Sequence, residues 1–251
     1  HVVSAFSHEC GLVIGQLACE EKSNEITAIP KLLDMLEING CIVTIDAMGT
    51  QKDIAEKVIS KDADYILSLK ENQKTMYRDV KLYLDDIRKD NDVKNSDNYY
   101  RTIEKGHGRI ESRTCVISEE IGWLNGKDEW RGINGIGVIY CEVEEKGQKL
   151  KQNHYFIFSC KGLTAKELMR HIRSHWSVEN SLHWVLDMAF REDESRARKD
   201  NSAENLNVLR QIALNILKSE KSFKGSITDK QFKCLLDNSY LDKIIENWVC
   251  S

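Results

Sequence analysis

The amino-acid sequence predicts an α/β fold in which parallel strands alternate with helices in its first part. Residues 41–45 and 65–69 form apolar, β-branched runs without polar alternation, which is typical of strands buried on both faces of a parallel sheet. A helical pattern at residues 50–60 separates them, and this spacing indicates a crossover between parallel neighbours. From residue 99 to 160 the pattern changes to strands, and helices follow from Leu163.

The first predicted elements are two strands, residues 2–6 and 12–19, joined as a hairpin. A helix follows, because apolar residues recur at helical spacing between residues 26 and 36. Its end is predicted at Asn39-Gly40, a common stop signal. After the strand at 41–45, Thr50 is predicted to cap the next helix in a capping box with the acid three residues later.

The remaining elements follow from the same periodicities. A helix is predicted at residues 76–87, and the charged, amide-rich stretch at 85–98 is predicted to be an exposed connector. Thr164 and Glu167 form a second predicted capping box at the start of a long amphipathic helix. Four strands are predicted between these helices, at residues 100–104, 110–117, 136–143 and 154–159.

Composition is that of an ordinary globular protein. Of 251 residues, 41% are hydrophobic and 30% are charged, and the formal net charge is −4, which argues against a globally basic nucleic-acid binder. Residues 161–251 hold 15 lysines and arginines against 13 acids, which slightly favours that part as the side that meets an anionic ligand. With no membrane-length apolar run, no signal peptide and scattered cysteines, we expect a soluble intracellular protein with reduced thiols.

Asp46 is the first candidate functional residue. It stands where the strand at 41–45 ends, and Ala47, Met48 and Gly49 follow as a turn. Open α/β sheets bind ligands outside the carboxyl ends of their strands, so this acid is placed for function. The alternative is an aspartate that only closes a turn.

Glu179 is the second candidate. On the predicted long helix, Trp176 and Leu182 lie three residues to either side, so the carboxylate is expected to face partly toward apolar packing. Such a carboxylate must be paired, protonated or bound to a metal. If this helix lies beside the strand of Asp46, the two acids can share Mg²⁺, which takes oxygen ligands. The alternative is a surface glutamate paired with a histidine.

A histidine pattern on the same helix offers a different metal site. His171, His175, Glu179 and His183 are each four residues apart, and two histidines at this spacing can bind zinc. The positions drift around the helix at 3.6 residues per turn, and the usual HExxH glutamate is missing. A zinc hydrolase using His171, His175 and His183 therefore stays an alternative.

Several long stretches carry a family resemblance. They include GCIVTIDAMGT (40–50), DYILSLKENQ (64–73), EKGHGRIESR (104–113) and HWSVENSLHWVLDMAFREDESRARKDNSAENLNVLRQIALNILK (175–218). These stretches resemble bacterial insertion-sequence transposases of the DDE class, in the group that includes the H-repeat-associated proteins. The resemblance covers nearly the whole chain and is more specific than any short motif.

The resemblance implies a ribonuclease-H-like catalytic core with a β-rich insertion before the last catalytic helix. Residues 1–72 would be the first part of the core, 73–162 a linker helix and the insertion, and 163–251 the catalytic helix and a C-terminal helical part. Of the family's three acids, the second matches Asp46 and the third matches Glu179. The first belongs to a strand upstream of His1, so we expect a truncated fragment that is inactive alone.

The implied activity is metal-dependent cleavage at transposon ends and strand transfer into target DNA. Asp46 and Glu179 would bind Mg²⁺ or Mn²⁺, and the implied partners are double-stranded DNA and further copies of the protein on paired ends. No membrane is involved, and the expected location is the bacterial cytoplasm, at the nucleoid when DNA is bound. An inactive DNA-binding relic is the alternative.

Basic residues are the expected DNA contacts. His175 and Leu186 stand where related transposases often carry phosphate-binding cations, so other residues must take that role. The expected contacts lie on the hairpin at 100–117 and on the stretch after Phe190. They are Arg109, Arg113, Arg191, Arg196, Arg198 and Lys199.

Overall fold

The computed structural model describes residues 2–19, 25–106, 108–197 and 199–249. The chain divides into two compact units. The larger unit consists of residues 23–173, and the smaller unit combines residues 1–22 with residues 174–251.

Eight strands and nine α-helices lie within the described ranges, which confirms the predicted α/β class. The strands are β1 (Val2–Ser7), β2 (Leu12–Ala18), β3 (Ile42–Ile45), β4 (Asp64–Leu69), β5 (Tyr99–Gly106), β6 (Arg109–Ser118), β7 (Gly135–Glu145) and β8 (Gln148–Phe158). The helices are α1 (Glu25–Asp34), α2 (Lys52–Ser60), α3 (Lys74–Ile87), α4 (Asn91–Lys94), α5 (Ala165–Val178), α6 (Trp184–Phe190), α7 (Ser202–Ser219), α8 (Ile227–Leu236) and α9 (Asn238–Val249). None of these helices has the length and apolar character needed to cross a membrane.

The larger unit is built on one six-stranded mixed sheet in the order β3-β4-β8-β7-β6-β5. β3 and β4 are parallel, as predicted, because α2 carries the chain back between them. All other neighbours in this sheet are antiparallel. β8 pairs with β4, so the strands of the predicted insertion extend the same sheet as the parallel pair.

The prediction that both parallel strands are buried on both faces is right for β4 and wrong for β3. Tyr65, Ile66 and Leu67 on β4 are fully buried. All four residues of β3 are only half-buried, because β3 is the edge strand of the sheet in the described chain. The edge position leaves one side of β3 without a hydrogen-bonded neighbour among the described residues.

The end of α1 differs from the sequence prediction. The helix ends at Asp34 instead of continuing to Asn39-Gly40. The Lys61 ammonium donates to the carbonyls of Leu33 and Leu36, at 2.8 and 2.6 Å, and so satisfies acceptors that the helix end leaves open. The predicted connector at 85–98 also differs, since it contains the end of α3 and the short helix α4.

The smaller unit confirms the predicted β1–β2 hairpin, which is antiparallel. The Asn215 side chain on α7 accepts from the Val13 amide at 3.0 Å and donates to the Val13 carbonyl at 2.7 Å. Leu182, Leu186 and Leu214 form a core against which Phe6 and Val13 pack. This packing fixes the helical segment that contains Glu179 relative to the hairpin.

Candidate active site

Asp46 follows the last residue of β3 and is exposed. Its Oδ1 accepts hydrogen bonds from the backbone amides of Met48 and Gly49, at 3.1 and 3.2 Å. Within the described residues the hydrogen bonds to this carboxylate all go to Oδ1, so Oδ2 remains available to a ligand. The predicted position at the carboxyl end of a strand is confirmed, while its catalytic role stays a prediction.

The turn after Asp46 is anchored to the neighbouring parallel strand. Thr50 Oγ1 lies 3.0 Å from the Asp46 carbonyl oxygen and 2.6 Å from the Ser68 carbonyl oxygen at the end of β4. Thr50 is fully buried and α2 begins after Gln51 without a side-chain cap, so the predicted N-cap role of Thr50 is wrong. The hydroxyl joins two strand ends instead of capping a helix.

Two amide side chains after β4 complete this anchor, and the sequence reasoning missed them. Asn72 donates to the Ala47 carbonyl at 2.6 Å and Gln73 donates to the Thr50 carbonyl at 3.2 Å. Only glycine fits at position 49 in this turn, because a Cβ atom there would overlap the side chains of Ile45 and Ile29. Their position in the sequence could have identified them, because polar residues that directly follow a parallel strand lie at the same sheet edge as Asp46.

The described residues at this edge fit one ligand of a Mg²⁺ site and not a complete site. A carboxylate with a free oxygen suits a hard divalent cation, which accepts few protein ligands and keeps several waters. Within the described ranges, no group of three His, Cys, Asp or Glu side chains is placed to hold a metal. Asp46 therefore needs further oxygen ligands before it can hold an ion.

Glu179 begins a π-helical segment, Glu179–His183, that joins α5 to α6. Its side chain is exposed, so the prediction that it faces partly toward apolar packing is wrong. The π turn alters the helical register after Val178, and Leu182 takes the buried position instead. Such single π turns occur frequently at functional sites. Glu179 belongs to the smaller unit and Asp46 to the larger one.

The histidine stripe does not form the alternative zinc site. His171, His175, Glu179 and His183 all lie within the described residues, where no three-residue metal-binding group occurs. The π turn at Glu179–His183 breaks the regular four-residue spacing on which the stripe depends. The zinc hydrolase alternative is therefore wrong for this arrangement.

The predicted DNA contacts on the β5–β6 hairpin already have carboxylate partners. Arg109 pairs with Glu111 at 2.6 Å. Arg113 pairs with Glu111 and also with Glu104, the latter at 3.2 Å, and only 18% of its side chain is exposed. Arg173 on α5 donates hydrogen bonds from both terminal guanidinium nitrogens to the Glu104 carboxylate. The network ties the hairpin to α5 within the larger unit, and in it three arginines share two glutamates.

The other predicted contacts lie between α6 and α7. Arg191 follows α6 with a positive φ of 50°, and its side chain is 77% exposed with Glu194 at 3.8 Å. Arg196 and Lys199 are exposed. Arg198 lies outside the described residues.

A sequence model of the family described as "Transposase DDE domain" matches residues 1–216. The candidate transposase YncI of Escherichia coli O157:H7 is 39% identical over 253 residues, which cover 98% of this chain and 63% of YncI. The H-repeat-associated candidate transposase YhhI of Escherichia coli K12 is 40% identical over 254 residues, with 98% of this chain and 65% of YhhI covered. This chain thus spans less than two thirds of the length of these relatives.

A solved structure also shows similarity to this chain. The piggyBac transposase, in a synaptic complex with hairpin DNA, matches with a TM-score of 0.49 and 10% identity, over 98% of this chain and 47% of that chain. This similarity is too low to carry a conclusion. The family match over residues 1–216 and the two bacterial relatives are sufficient by themselves: the chain belongs to the transposase DDE domain family, and its resemblance to bacterial DDE-class transposases is confirmed.

Proposed function

We propose that this chain is part of a DNA transposase that cleaves DNA at transposon ends and transfers the ends into target DNA. The proposal assigns two of three catalytic acids to Asp46 and Glu179. The observation that carries it is the position of Asp46, a carboxylate at the end of a parallel strand whose turn is held by Thr50, Asn72 and Gln73. Such anchoring suits an acid that must keep its geometry while a substrate binds.

The proposed core is ribonuclease-H-like. An antiparallel hairpin followed by a helix, a strand, a crossover helix and a parallel strand supports this assignment. The half-buried edge strand β3 is consistent with a further strand beside it. That strand would come from an upstream segment and would carry the first acid. The proposed parts remain residues 1–72 for the core, 73–162 for the linker helix and insertion, and 163–251 for the catalytic helix and C-terminal part.

Asp46 and Glu179 are proposed to hold the divalent cation, Mg²⁺ or Mn²⁺. When bound, such ions activate the attacking oxygen and stabilise the charge on the leaving oxygen in phosphoryl transfer. The protein contributes position and charge in this chemistry. Met48 and Gly49 hold one oxygen of Asp46 through their amides, which leaves the other oxygen for the cation.

Duplex DNA and further copies of the protein on paired ends are the proposed partners. Exposed cations in the loop between α6 and α7, which follows the helical segment of Glu179 in the sequence, support a phosphate contact. Arg191, Arg196, Arg198 and Lys199 are assigned this role. Arg109 and Arg113 remain assigned as contacts, although each would have to exchange a carboxylate for a phosphate.

Substitution of each acid tests the proposal in the longer protein that includes the upstream sequence. Asp46→Asn and Glu179→Gln are expected to reduce Mg²⁺-dependent cleavage of a transposon-end duplex by on the order of 10³-fold or more, with end binding retained. Asp53→Asn and Glu194→Gln are matched controls at exposed acids and are expected to keep cleavage. Gel-resolved cleavage and a shift assay measure the two properties separately.

Three results would contradict this assignment. Cleavage retained by Glu179→Gln would move the third acid elsewhere, with Asp187 on α6 as the first position to test. Cleavage by residues 1–251 alone would show that no upstream acid is needed. Binding without any cleavage by the longer protein would instead identify an inactive DNA-binding relic.

A further inference from the structure

We propose that a cationic pocket between the sheet and the α3–α4 turn binds a backbone phosphate of duplex DNA. This inference rests on the proposed DNA partner and adds a contact surface that the sequence reasoning did not identify. The pocket has a volume of about 350 Å³, which is in the size range of small-ligand sites. Arg88, Lys89, Lys94 and Arg101 line it together with a single carboxylate, Glu142.

The floor of the pocket is one face of the sheet, which we call the α3 face. Side chains alternate along a strand, and the strand register places Arg101 opposite Thr114, and Thr114 opposite Tyr140. These three residues therefore share the α3 face. The next pair on that face is Ser112 opposite Glu142. The Arg101 Nε donates to Ser112 Oγ at 3.3 Å, which orients the guanidinium along the floor.

The rim of the pocket comes from the end of α3 and from α4. The Arg88 guanidinium lies 4.2 Å from the centroid of the Tyr140 ring, and the Tyr140 hydroxyl donates to Asp85 at 2.6 Å. A guanidinium stacked on an aromatic ring keeps its edge N–H groups for an anion. Lys94 Nζ donates to the Lys89 carbonyl at 2.9 Å, which holds its ammonium at the same rim.

The charges of the pocket are not balanced by acids. Within the described chain, Arg88, Lys94 and Arg101 make no ion pair with a carboxylate, whereas Glu142 pairs with Lys151 at 2.9 Å. The hydrogen bond and charge of Lys151, with the charges of Arg88 and Arg101, lower the pKa of Glu142. Glu142 therefore stays negatively charged and opposes an incoming phosphate, while the surrounding cations attract it.

A DNA backbone fits this pocket better than a free nucleotide does. Sites for small ligands are mostly apolar and bury most of the ligand, whereas all four cations here are exposed. Exposed arginines and lysines that contact phosphates give affinity without sequence preference and make it salt-dependent. The pocket accordingly positions DNA and does not read bases.

The test measures binding of the 251-residue chain to a short labelled duplex by fluorescence anisotropy over a range of salt concentrations. Lys94→Gln/Arg101→Gln is expected to weaken binding and to reduce the slope of log K against log salt by about two. Lys81→Gln/Lys127→Gln removes the same charge outside the pocket and is expected to change the slope less. Glu142→Gln is expected to tighten binding, with Glu120→Gln as its control. Thermal melting of each variant checks folding.

The outcomes separate the pocket from the proposed function. If the wild-type chain binds the duplex and Lys94→Gln/Arg101→Gln keeps the same slope, the pocket is not a DNA site, while the transposase assignment stands. If the wild-type chain does not bind the duplex, the pocket inference fails, while end binding by the longer protein tests the transposase assignment separately. If inorganic phosphate or a mononucleotide competes at concentrations far below those that screen charges, the pocket binds a small phosphate ligand and the DNA inference is overturned.

Discussion

The arginine network on one face of the sheet in the larger unit and the cationic pocket on the other face hold their cations in opposite ways. On the face toward α5, which carries Glu104, Glu111 and Arg113 and which we call the α5 face, each arginine pairs with a carboxylate. On the α3 face, within the described residues, three of the four pocket cations have no carboxylate partner. The faces are built from the same strands, so alternation along β5 and β6 places the paired Glu104, Glu111 and Arg113 on one face and Arg101 on the other. The end of α3 and α4 supply the other three pocket cations.

This difference changes which arginines are the better candidates for DNA contact. A paired arginine must give up its carboxylate before it can bind a phosphate, and the loss offsets the gain. Arg113 is in this position, whereas Arg101 donates to the Ser112 hydroxyl and makes no ion pair with a carboxylate in the described part of the chain. The two hairpin arginines predicted from the sequence, Arg109 and Arg113, lie on the α5 face, whereas the contacts favour the α3 face.

The largest expected difference in stability comes from one matched pair of substitutions. Glu111→Gln removes the carboxylate that pairs with both Arg109 and Arg113. The side chains of Glu111 and Arg113 are only 12% and 18% exposed. Leaving a poorly hydrated guanidinium short of a partner is expected to cost about 1–3 kcal/mol of unfolding free energy. Glu142→Gln on the α3 face removes an exposed pair and is expected to cost less than about 1 kcal/mol. Urea denaturation of the chain measures both.

Equal losses for the two variants would contradict this difference, because they would show that the α5 network is no better shielded from solvent than the Glu142–Lys151 pair. The control is Glu145→Gln, at an exposed acid on β7. It is expected to leave the unfolding free energy within about 0.5 kcal/mol of wild type, as surface substitutions usually do.

A carboxylate can also be added to the α3 face to make it resemble the α5 face. Thr114 lies opposite Arg101 on β5, so Thr114→Glu places an acid beside an arginine that has no carboxylate ion pair within the described ranges. The slope of duplex binding against salt is expected to fall by about one, since one phosphate contact is replaced by an internal pair. Thr114→Gln has nearly the same size without the charge and is expected to keep the slope. An equal effect of Gln and Glu would identify crowding as the cause.

The sequence predicts what depends on near neighbours. The capping box at the start of α5 is confirmed, since the Thr164 hydroxyl accepts from the Glu167 amide at 3.2 Å and the Thr164 amide donates to the Glu167 carboxylate at 2.9 Å. The hairpins and the parallel β3–β4 pair are likewise confirmed, because period and turn signals are local. For the same reason the position of Asp46 at a strand end was predictable.

The sequence does not predict contacts between distant residues. Thr50 resembles an N-cap in sequence, but its hydroxyl meets Ser68 at the end of the neighbouring strand. The end of α1 depends on Lys61, which follows it by a whole helix. The π turn at Glu179 inserts a change of register that no periodicity shows. The partners of Arg113 and Arg173 depend on strand register and helix packing, so neither could be assigned from the sequence.

The smallest expected effect is a pH dependence that belongs to the α5 face. Hydrogen bonds from Arg173, followed by the charges of Arg173 and Arg113, lower the pKa of Glu104 below its ordinary value of 4.5. A carboxylate with a lowered pKa stabilises the folded state above its unfolded-state pKa, and this contribution is lost as pH falls through the folded-state pKa. Glu104 is 45% exposed, so the contribution is expected to stay below about 1 kcal/mol after screening.

Replacement of Glu104 isolates this contribution from the other acids. Glu104→Gln is expected to lower the unfolding free energy at neutral pH. The difference in unfolding free energy between wild type and variant should shrink as pH falls below 4.5, because wild type then loses the same ion pair by protonation. Glu142→Gln, whose glutamate pairs with Lys151 on the α3 face, also has a lowered pKa and gives the comparison curve. Two arginines pair with Glu104, whereas one lysine pairs with Glu142. The loss of unfolding free energy in Glu104→Gln should therefore persist to lower pH than the loss in Glu142→Gln. If the loss in Glu142→Gln persists to lower pH instead, the α5 face holds its carboxylates no more strongly than the α3 face does.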